Sequence, residues 1–184
     1  MAEEEEKQEE KVREGQGNLE GKKVIISSQS DADSLAQSGY GVRVDKTKLA
    51  LTLPEALYLL AEKRLKVVAE GVEVEFPEFL RISREADPEI WAKYVLYRDL
   101  KSRGYVVREG SIGATGFRVY ERGAYPKKAA KYVVFPVWEG NPVSLSYLSE
   151  VLRSAEAAKK KLIIAVIDRH GEIVYYSLTQ YNPY

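Results

Sequence analysis

At Gly104 the spacing of the apolar residues changes, and that change sets what the chain can fold into. Before it, a segment opens at Asp87-Pro88 with a capping residue followed by proline, and Ile90, Trp91, Tyr94, Val95 and Leu100 recur at helical intervals. Gly104 is placed to end that helix. After it, apolar residues come in short strand-like runs: Tyr105-Val106-Val107, Phe117-Arg118-Val119-Tyr120 and Tyr132-Val133-Val134-Phe135. Ser144 is then the expected N-cap of a helix with Leu145, Leu148, Leu152 and Ala155 on one face, which would close against the sheet. Leu162 to Ile167 is a continuous apolar strand, Asp168 to Glu172 a polar connection and Ile173 to Leu178 a return strand, together a hairpin. This half reads as a mixed sheet packed by helices.

The N-terminal half has a different order. Val24-Ile25-Ile26 reads as a buried strand. Asp31 or Asp33 is expected to cap a short helix through Ala36, and Gly39-Tyr40-Gly41 to make a turn. A basic surface loop, Arg43 to Lys48, follows; Lys46 and Lys48 are its candidate RNA contacts. Leu53-Pro54-Glu55 starts a helix with proline in the first turn, where its missing N–H costs nothing. Leu65 to Ala69 reads as a strand and Phe76-Pro77 as the start of another helix. The expected fold class is therefore α/β (α+β): a charged disordered tail over 1–17, a small mixed α/β domain over 18–84 and a second domain over 85–184.

Composition narrows the chemistry. With 184 residues, 45% of them hydrophobic, the chain has ample material for a core. It holds no apolar run near the ~18 residues a membrane span needs, and acidic residues stand where a signal peptide would be basic, so a cytoplasmic protein is expected. The absence of cysteine removes disulfides, thiolate ligands and cysteine nucleophiles. His170 is the sole histidine, which excludes a His–His zinc arrangement within one chain. Formal net charge is zero, so any phosphate binding must come from a local cluster. The charges are segregated: Glu3 to Glu6, Glu9 and Glu10 crowd the start, whereas Lys127, Lys128, Lys131, Arg153 and Lys159 to Lys161 lie in the C-terminal half. The acidic start reads as a solubilising extension. Gly110, Gly113 and Gly116 read as turn glycines, since no Lys-Ser/Thr and no helix follows them.

Several stretches together resemble the archaeal tRNA-splicing endonucleases: Leu53-Pro54-Glu55-Ala56-Leu57-Tyr58-Leu59-Leu60, Tyr97-Arg98-Asp99-Leu100-Lys101-Ser102-Arg103-Gly104-Tyr105-Val106-Val107 and Phe117-Arg118-Val119-Tyr120-Glu121-Arg122-Gly123. The resemblance runs from about Leu19 to Pro183. It implies metal-independent RNA cleavage leaving a 2′,3′-cyclic phosphate. In that chemistry a tyrosine helps deprotonate the ribose 2′-hydroxyl, a histidine protonates the leaving oxygen and a lysine stabilises the charged transition state. No cofactor is implied.

Carried over by position, Tyr120 matches the tyrosine and Lys160 the lysine, but Ala129 stands at the histidine position. An alanine has no proton to give. Arg153 matches an arginine that grips a flipped-out intron base, although its partner position near the C-terminus reads Gln180. Asp168 and Glu172 match an acidic loop that docks on an opposing subunit. His170, in that same loop, is read as an exposed turn residue.

Ala129 admits two explanations: an engineered inactivation of a catalytic subunit, or a natural non-catalytic paralogue that pairs with a catalytic one in a two-plus-two heterotetramer. The surroundings favour the second. Lys127-Lys128, Ser111 to Gly116 and Ala157-Ala158-Lys159 all depart from the usual pattern, which a single designed change would leave intact. The expectation is a structural subunit that helps position pre-tRNA with a bulge–helix–bulge intron. An RNA-binding or assembly protein of the same fold, without a nuclease role, is the alternative from outside the enzyme.

Overall fold

The chain's hydrogen bonding closes into two sheets, and the helix over residues 90–102 packs on the second of them and on a helix of the first half. A computed structural model describes residues 14–110 and 116–181. The first sheet holds β1 (Gly15–Glu20), β2 (Lys23–Ile26), β3 (Val42–Arg43), β4 (Leu49–Thr52), β5 (Leu65–Ala69) and β6 (Val72–Val74), in the order β3-β4-β2-β1-β5-β6. Helices α1 (Gln29–Gln37), α2 (Leu53–Ala61) and α3 (Phe76–Ala86) belong to the same half.

The expected charged tail, 1–17, overlaps the first strand. Gly15 to Gly17 are already in β1, paired with Leu65 to Val67 of β5 on one side, and Gly17 with Ile26 of β2 on the other. Apolar patterning hid this strand because its second glycine is there for space: a Cβ on Gly17 would lie 2.5 Å from Val24 Cγ1 and 2.7 Å from Ile26 Cδ1. Residues 1–13 lie outside the described residues, as do Ser111 to Thr115 of the glycine-punctuated connection and the last three residues of the aromatic C-terminal end.

Helix starts also moved. The N-cap of α1 is Ser28, not Asp31 or Asp33; Asp31 falls in the first turn, where a negative charge suits the helix dipole, and Asp33 pairs with Arg43. The central helix α4 (Ile90–Ser102) begins after Asp87. That carboxylate instead holds the entry turn, accepting from Glu89 N at 3.1 Å and Lys93 Nζ at 2.6 Å. Helix α2 starts as its proline indicates, with a capping box in which Thr52 and Glu55 satisfy each other's backbone N–H.

The second sheet, in the order β11-β10-β9-β8-β7, comprises β7 (Val106–Glu109), β8 (Phe117–Tyr120), β9 (Tyr132–Trp138), β10 (Lys161–Ile167) and β11 (Ile173–Leu178). All its pairs are antiparallel except β9 with β10, which are parallel and joined across the sheet by α5 (Leu145–Ala157). One face, with Val107, Phe117, Val119, Val134, Ala165 and Ile167, shares a continuous core with α4 and with the first half's Val24, Ile26, Leu57 and Leu59. Each such fully buried aliphatic side chain contributes about 1.5–3 kcal/mol. The opposite face, with Val133, Phe135 and Leu162, is covered by α5. Ser144 is the N-cap of α5 as expected, accepting from Tyr147 N at 3.2 Å. The buried stripe of α5 is the expected one in part: Ala155 is buried and Leu152 packs against the same cluster, but Leu145 is 81% exposed, and Tyr147 and Val151 fill the face instead. Tyr147, Val151 and Ala155 run at i, i+4 spacing along the helix.

Gly17→Ala is expected to destabilise the protein by about 1–3 kcal/mol, because the added methyl must displace Val24 and Ile26. Chemical denaturation of the two forms checks this; an unchanged midpoint would contradict the close packing of β1.

Candidate functional site

Three chain segments end side by side at one edge of the C-terminal sheet. Val119 pairs with Tyr132, and Tyr132 with Lys161, so Tyr120 at the end of β8 and Lys160 just before β10 lie at the same edge as Ala129 and Ala130, just before β9. Backbone bonds tie the three: Lys131 N donates to Val119 O at 3.2 Å, and Lys161 N to Lys131 O at 3.0 Å. The half-buried Lys160 donates its ammonium to Ala130 O at 2.9 Å. Tyr120 is half-buried, its ring edge-on to Tyr125 with centroids 5.1 Å apart. Ala129 is exposed. The edge therefore combines a phenol, an ammonium and the methyl group of Ala129.

The same edge is strongly basic. Lys127, Lys128, Lys131, Lys159 and Lys161 are all exposed there. Among them stands Glu121, whose carboxyl is held below its ordinary range by a hydrogen bond from Lys131, with Lys128 and Lys161 adding to the effect.

Tyr125 leads from this edge into the joint between the two halves. Its hydroxyl accepts from Arg108 of β7 at 2.7 Å. Arg108 also donates to Gly41 O and, at 3.4 Å, to Glu55 of the α2 capping box. Glu55 accepts in addition from Gly41 N at 3.1 Å and Thr52 N at 2.9 Å. Burial pushes its carboxyl up, against the opposing pull of those N–H groups and of Arg108. Beside this network lies a cleft of about 420 Å³ whose walls include Arg43, Glu55, Arg108, Arg118, Tyr120 and Tyr125. Sequence reading missed this joint. The only local signal for it was the Thr52-x-x-Glu55 spacing, which marks a helix cap but says nothing of a partner in the other domain.

The remaining expected positions are dispersed. Lys46 and Lys48 are exposed on a loop folded around Asp45, whose Oδ1 accepts from Thr47 N and Lys48 N, each at 2.7 Å. At the base of that loop, Arg43 lines the same cleft as Tyr120. Arg153 is exposed on α5, with Nε donating to Ser149 O at 3.3 Å, and Gln180 is exposed beyond β11. Asp168 closes its hairpin turn: its Oδ1 accepts from His170 N at 2.8 Å and Glu172 N at 2.9 Å, and these bonds hold the carboxyl below its ordinary range. Glu172 is exposed. His170 is exposed in that turn, past the far end of β10 from Lys160, about 20 Å away at the rise of a strand.

The description "tRNA intron endonuclease, N-terminal domain" fits residues 15–80, and "tRNA intron endonuclease, catalytic C-terminal domain" fits residues 90–175. A tRNA-splicing endonuclease of Methanothermobacter thermautotrophicus is 34% identical over 170 residues, covering 91% of this chain and 98% of that protein. The chain belongs to the tRNA intron endonuclease family. A tRNA-splicing endonuclease of Thermococcus onnurineus is 30% identical over 160 residues and is covered to 92% of its length. Others are longer: the chain spans 46% of the Methanosarcina acetivorans tRNA-splicing endonuclease, at 34% identity over 166 residues. Both family domains are thus present in this chain, and the edge holding Tyr120, Ala129 and Lys160 lies in the C-terminal one. Among the described residues no helix is long and apolar enough to cross a membrane.

Arg108→Met is expected to cost about 3 kcal/mol, since the Glu55 carboxylate, its side chain 3% exposed, would remain buried without its guanidinium. Arg108→Met with Glu55→Gln should recover part of that loss in a denaturation double-mutant cycle. Lys101 gives a pH test. Its ammonium lies 4.1 Å from the Tyr40 ring centre, and burial pushes it down to about 8, with Arg64 and Arg108 adding to the fall against the opposing pull of Glu55. A depressed folded value means the unfolded chain binds the proton better, so the stability is present above about pH 10 and lost as pH falls through 8. Lys101→Met should therefore raise Tm at pH 7, with the gain shrinking toward pH 10; a pH-independent difference would contradict this.

Proposed function

We propose that this chain is the structural partner in a cytoplasmic tRNA-splicing endonuclease, positioning pre-tRNA with a bulge–helix–bulge intron while a homologous catalytic subunit supplies the chemistry. The observation that carries the reading is the edge at Tyr120, Ala129 and Lys160. It has a phenol and an ammonium but no general acid, and the sole histidine lies beyond the other end of β10. Loss of a general acid lowers rate by about 10²–10⁴-fold. Tyr120 and Lys160 have packing and hydrogen-bond partners that account for them without catalysis.

A two-plus-two heterotetramer fits this division of labour. Asp168 and Glu172 would meet a basic surface of the opposing subunit, with Asp168 also shaping the turn that presents Glu172. RNA would be held by charge from the lysine-rich edge, by Lys46 and Lys48 on their loop and by Arg153, whose guanidinium plane suits stacking on an unpaired base. No metal or cofactor enters this scheme.

The test is cleavage of a bulge–helix–bulge RNA by the purified chain alone and mixed with the homologous catalytic subunit of the same organism. Cleavage is expected only in the mixture, and Lys160→Ala in this chain should leave that rate unchanged. A fall of about 10²-fold or more would assign Lys160 a share of the chemistry and overturn the structural reading. Cleavage by Ala129→His on its own would identify an inactivated catalytic subunit instead.

A further inference from the structure

The last turn of α4 carries a lysine with no anion to pair with. Lys101 Nζ lies 4.1 Å from the centre of the Tyr40 ring, and among the described residues no carbonyl or carboxylate accepts a hydrogen bond from it. Arg64 approaches the same ring, its guanidinium carbon 5.4 Å from the centre and Nη1 donating to Tyr40 Oη at 3.4 Å. One turn before Lys101, on the same side of α4, stands Tyr97, whose buried hydroxyl has no partner among the described residues. Such a hydroxyl is costly to leave unpaired. The Tyr58 ring joins the group, its centre 6.4 Å from that of Tyr40 and 5.7 Å from that of Tyr97. An amine, a guanidinium and an unpartnered hydroxyl thus surround one cluster of tyrosines.

The surrounding charges favour a neutral amine. Burial weighs most against the Lys101 ammonium; Arg64, which follows α2, and Arg108 of β7 add to it, and Glu55 of α2 pulls the other way. The result is an ammonium pushed down to about 8, so near neutral pH the free amine is on the order of 10²-fold more abundant than at an exposed lysine. Lys101 is half-buried, so a small electrophile can still reach it. A product that merely lost its charge, such as an amide, would give Arg64 and the Tyr97 hydroxyl nothing new to bind. An anionic product would engage both.

We propose that Lys101 is a carbamylation site: its neutral amine adds carbon dioxide, and the carbamate accepts hydrogen bonds from Tyr97 and Arg64. The nitrogen lone pair forms the N–C bond, one C=O electron pair moves onto oxygen, and the proton lost from nitrogen passes to water. No oxidant, reductant or further reactant is needed. Glu55 opposes the new negative charge, but its own oxygens are already engaged by Gly41 N, Thr52 N and Arg108. Arg64 lies in the N-terminal family domain and Lys101 in the C-terminal one, so the carbamate adds a bond between the two halves when carbon dioxide is abundant.

The experiment equilibrates the full chain with carbon-13-labelled carbon dioxide at fixed pressure and reads the carbamate carbon by NMR as pH is raised. The native chain is expected to show a carbamate resonance that grows as pH passes through about 8 and is lost in Lys101→Met; signal shared by both forms belongs to the N-terminal amine and the other lysines. Tyr97→Phe removes a hydroxyl with no partner and so spares the fold. It should raise the carbon dioxide pressure for half-occupancy about tenfold, because hydrogen bonds to charged groups are the strong ones. Arg64→Met should act in the same direction. At fixed pH the native Tm should rise with carbon dioxide pressure, since the ligand binds the folded form, and that of Lys101→Met should not. Identical carbamate resonances in the native chain and Lys101→Met would overturn the proposal. So would a half-occupancy pressure unchanged in both Tyr97→Phe and Arg64→Met, or a Tm that responds equally with and without Lys101.

Discussion

Parallel pairing of β9 with β10 is the constraint on which the functional end of this molecule depends. Two parallel neighbours begin at the same edge, and the chain can return to that edge only by a crossover, here α5. Lys131 and Lys160 are thereby brought together across an intervening helix. Antiparallel β8 then delivers its own end, Tyr120, to the edge where β9 and β10 begin. The same pairing sends the Asp168–Glu172 turn to the opposite edge. One topological choice thus both assembles the edge shared by Tyr120, Ala129 and Lys160 and removes His170 from it.

Polar contacts couple the edge to the N-terminal half around the Glu55 carboxylate and Arg108. Glu55 closes the capping box of α2 with one oxygen and receives Gly41 N and Arg108 with the other. Arg108 passes the connection on to Tyr125, which lies in the segment between β8 and β9 and stacks edge-on with Tyr120. A buried charge of this kind adds little net stability over an apolar replacement, but it punishes misplacement of any one partner. It therefore specifies how the two sheets meet, while the shared apolar core around α4 supplies most of the stability.

Much of this was legible in the sequence because the responsible signals are local. The capping serine of α5, the proline opening α2, the run Leu162 to Ile167 and the break at Gly104 each encode their own element, and each lies where it was read. Strand β1 was not legible, since Gly15 and Gly17 lack the apolar side chains by which a strand is recognised; their meaning depends on Val24 and Ile26 in the neighbouring strand. The stripe on α5 was right at Leu152 and Ala155 but wrong at Leu145, because leucine, tyrosine and valine are all apolar enough and only the sheet beneath decides between them. The joint of Glu55, Arg108 and Tyr125 spans residues far apart in sequence, and no spacing rule announces such a meeting. Family motifs identified Tyr120, Ala129 and Lys160, and the register of three strands explains why those separated positions belong together.

Ala129 shows why shape and chemistry come apart at this edge. Its side chain is exposed, and the segment around it is held by backbone groups: Lys128 N donates to Ala124 O at 2.7 Å, and Ala130 O accepts from Lys160. Ala129 is exposed, so a change of side chain there leaves the fold's supports in place. Tyr120 and Lys160 are in the opposite position. Each is half-buried and engaged with a neighbour, the tyrosine with Tyr125 and the lysine with a main-chain carbonyl, so packing and hydrogen bonding alone would keep them. The presence of those two residues is therefore weak evidence of catalysis. On the structural-partner reading proposed above, the position that costs the fold least to change is the one that carries the most information about function.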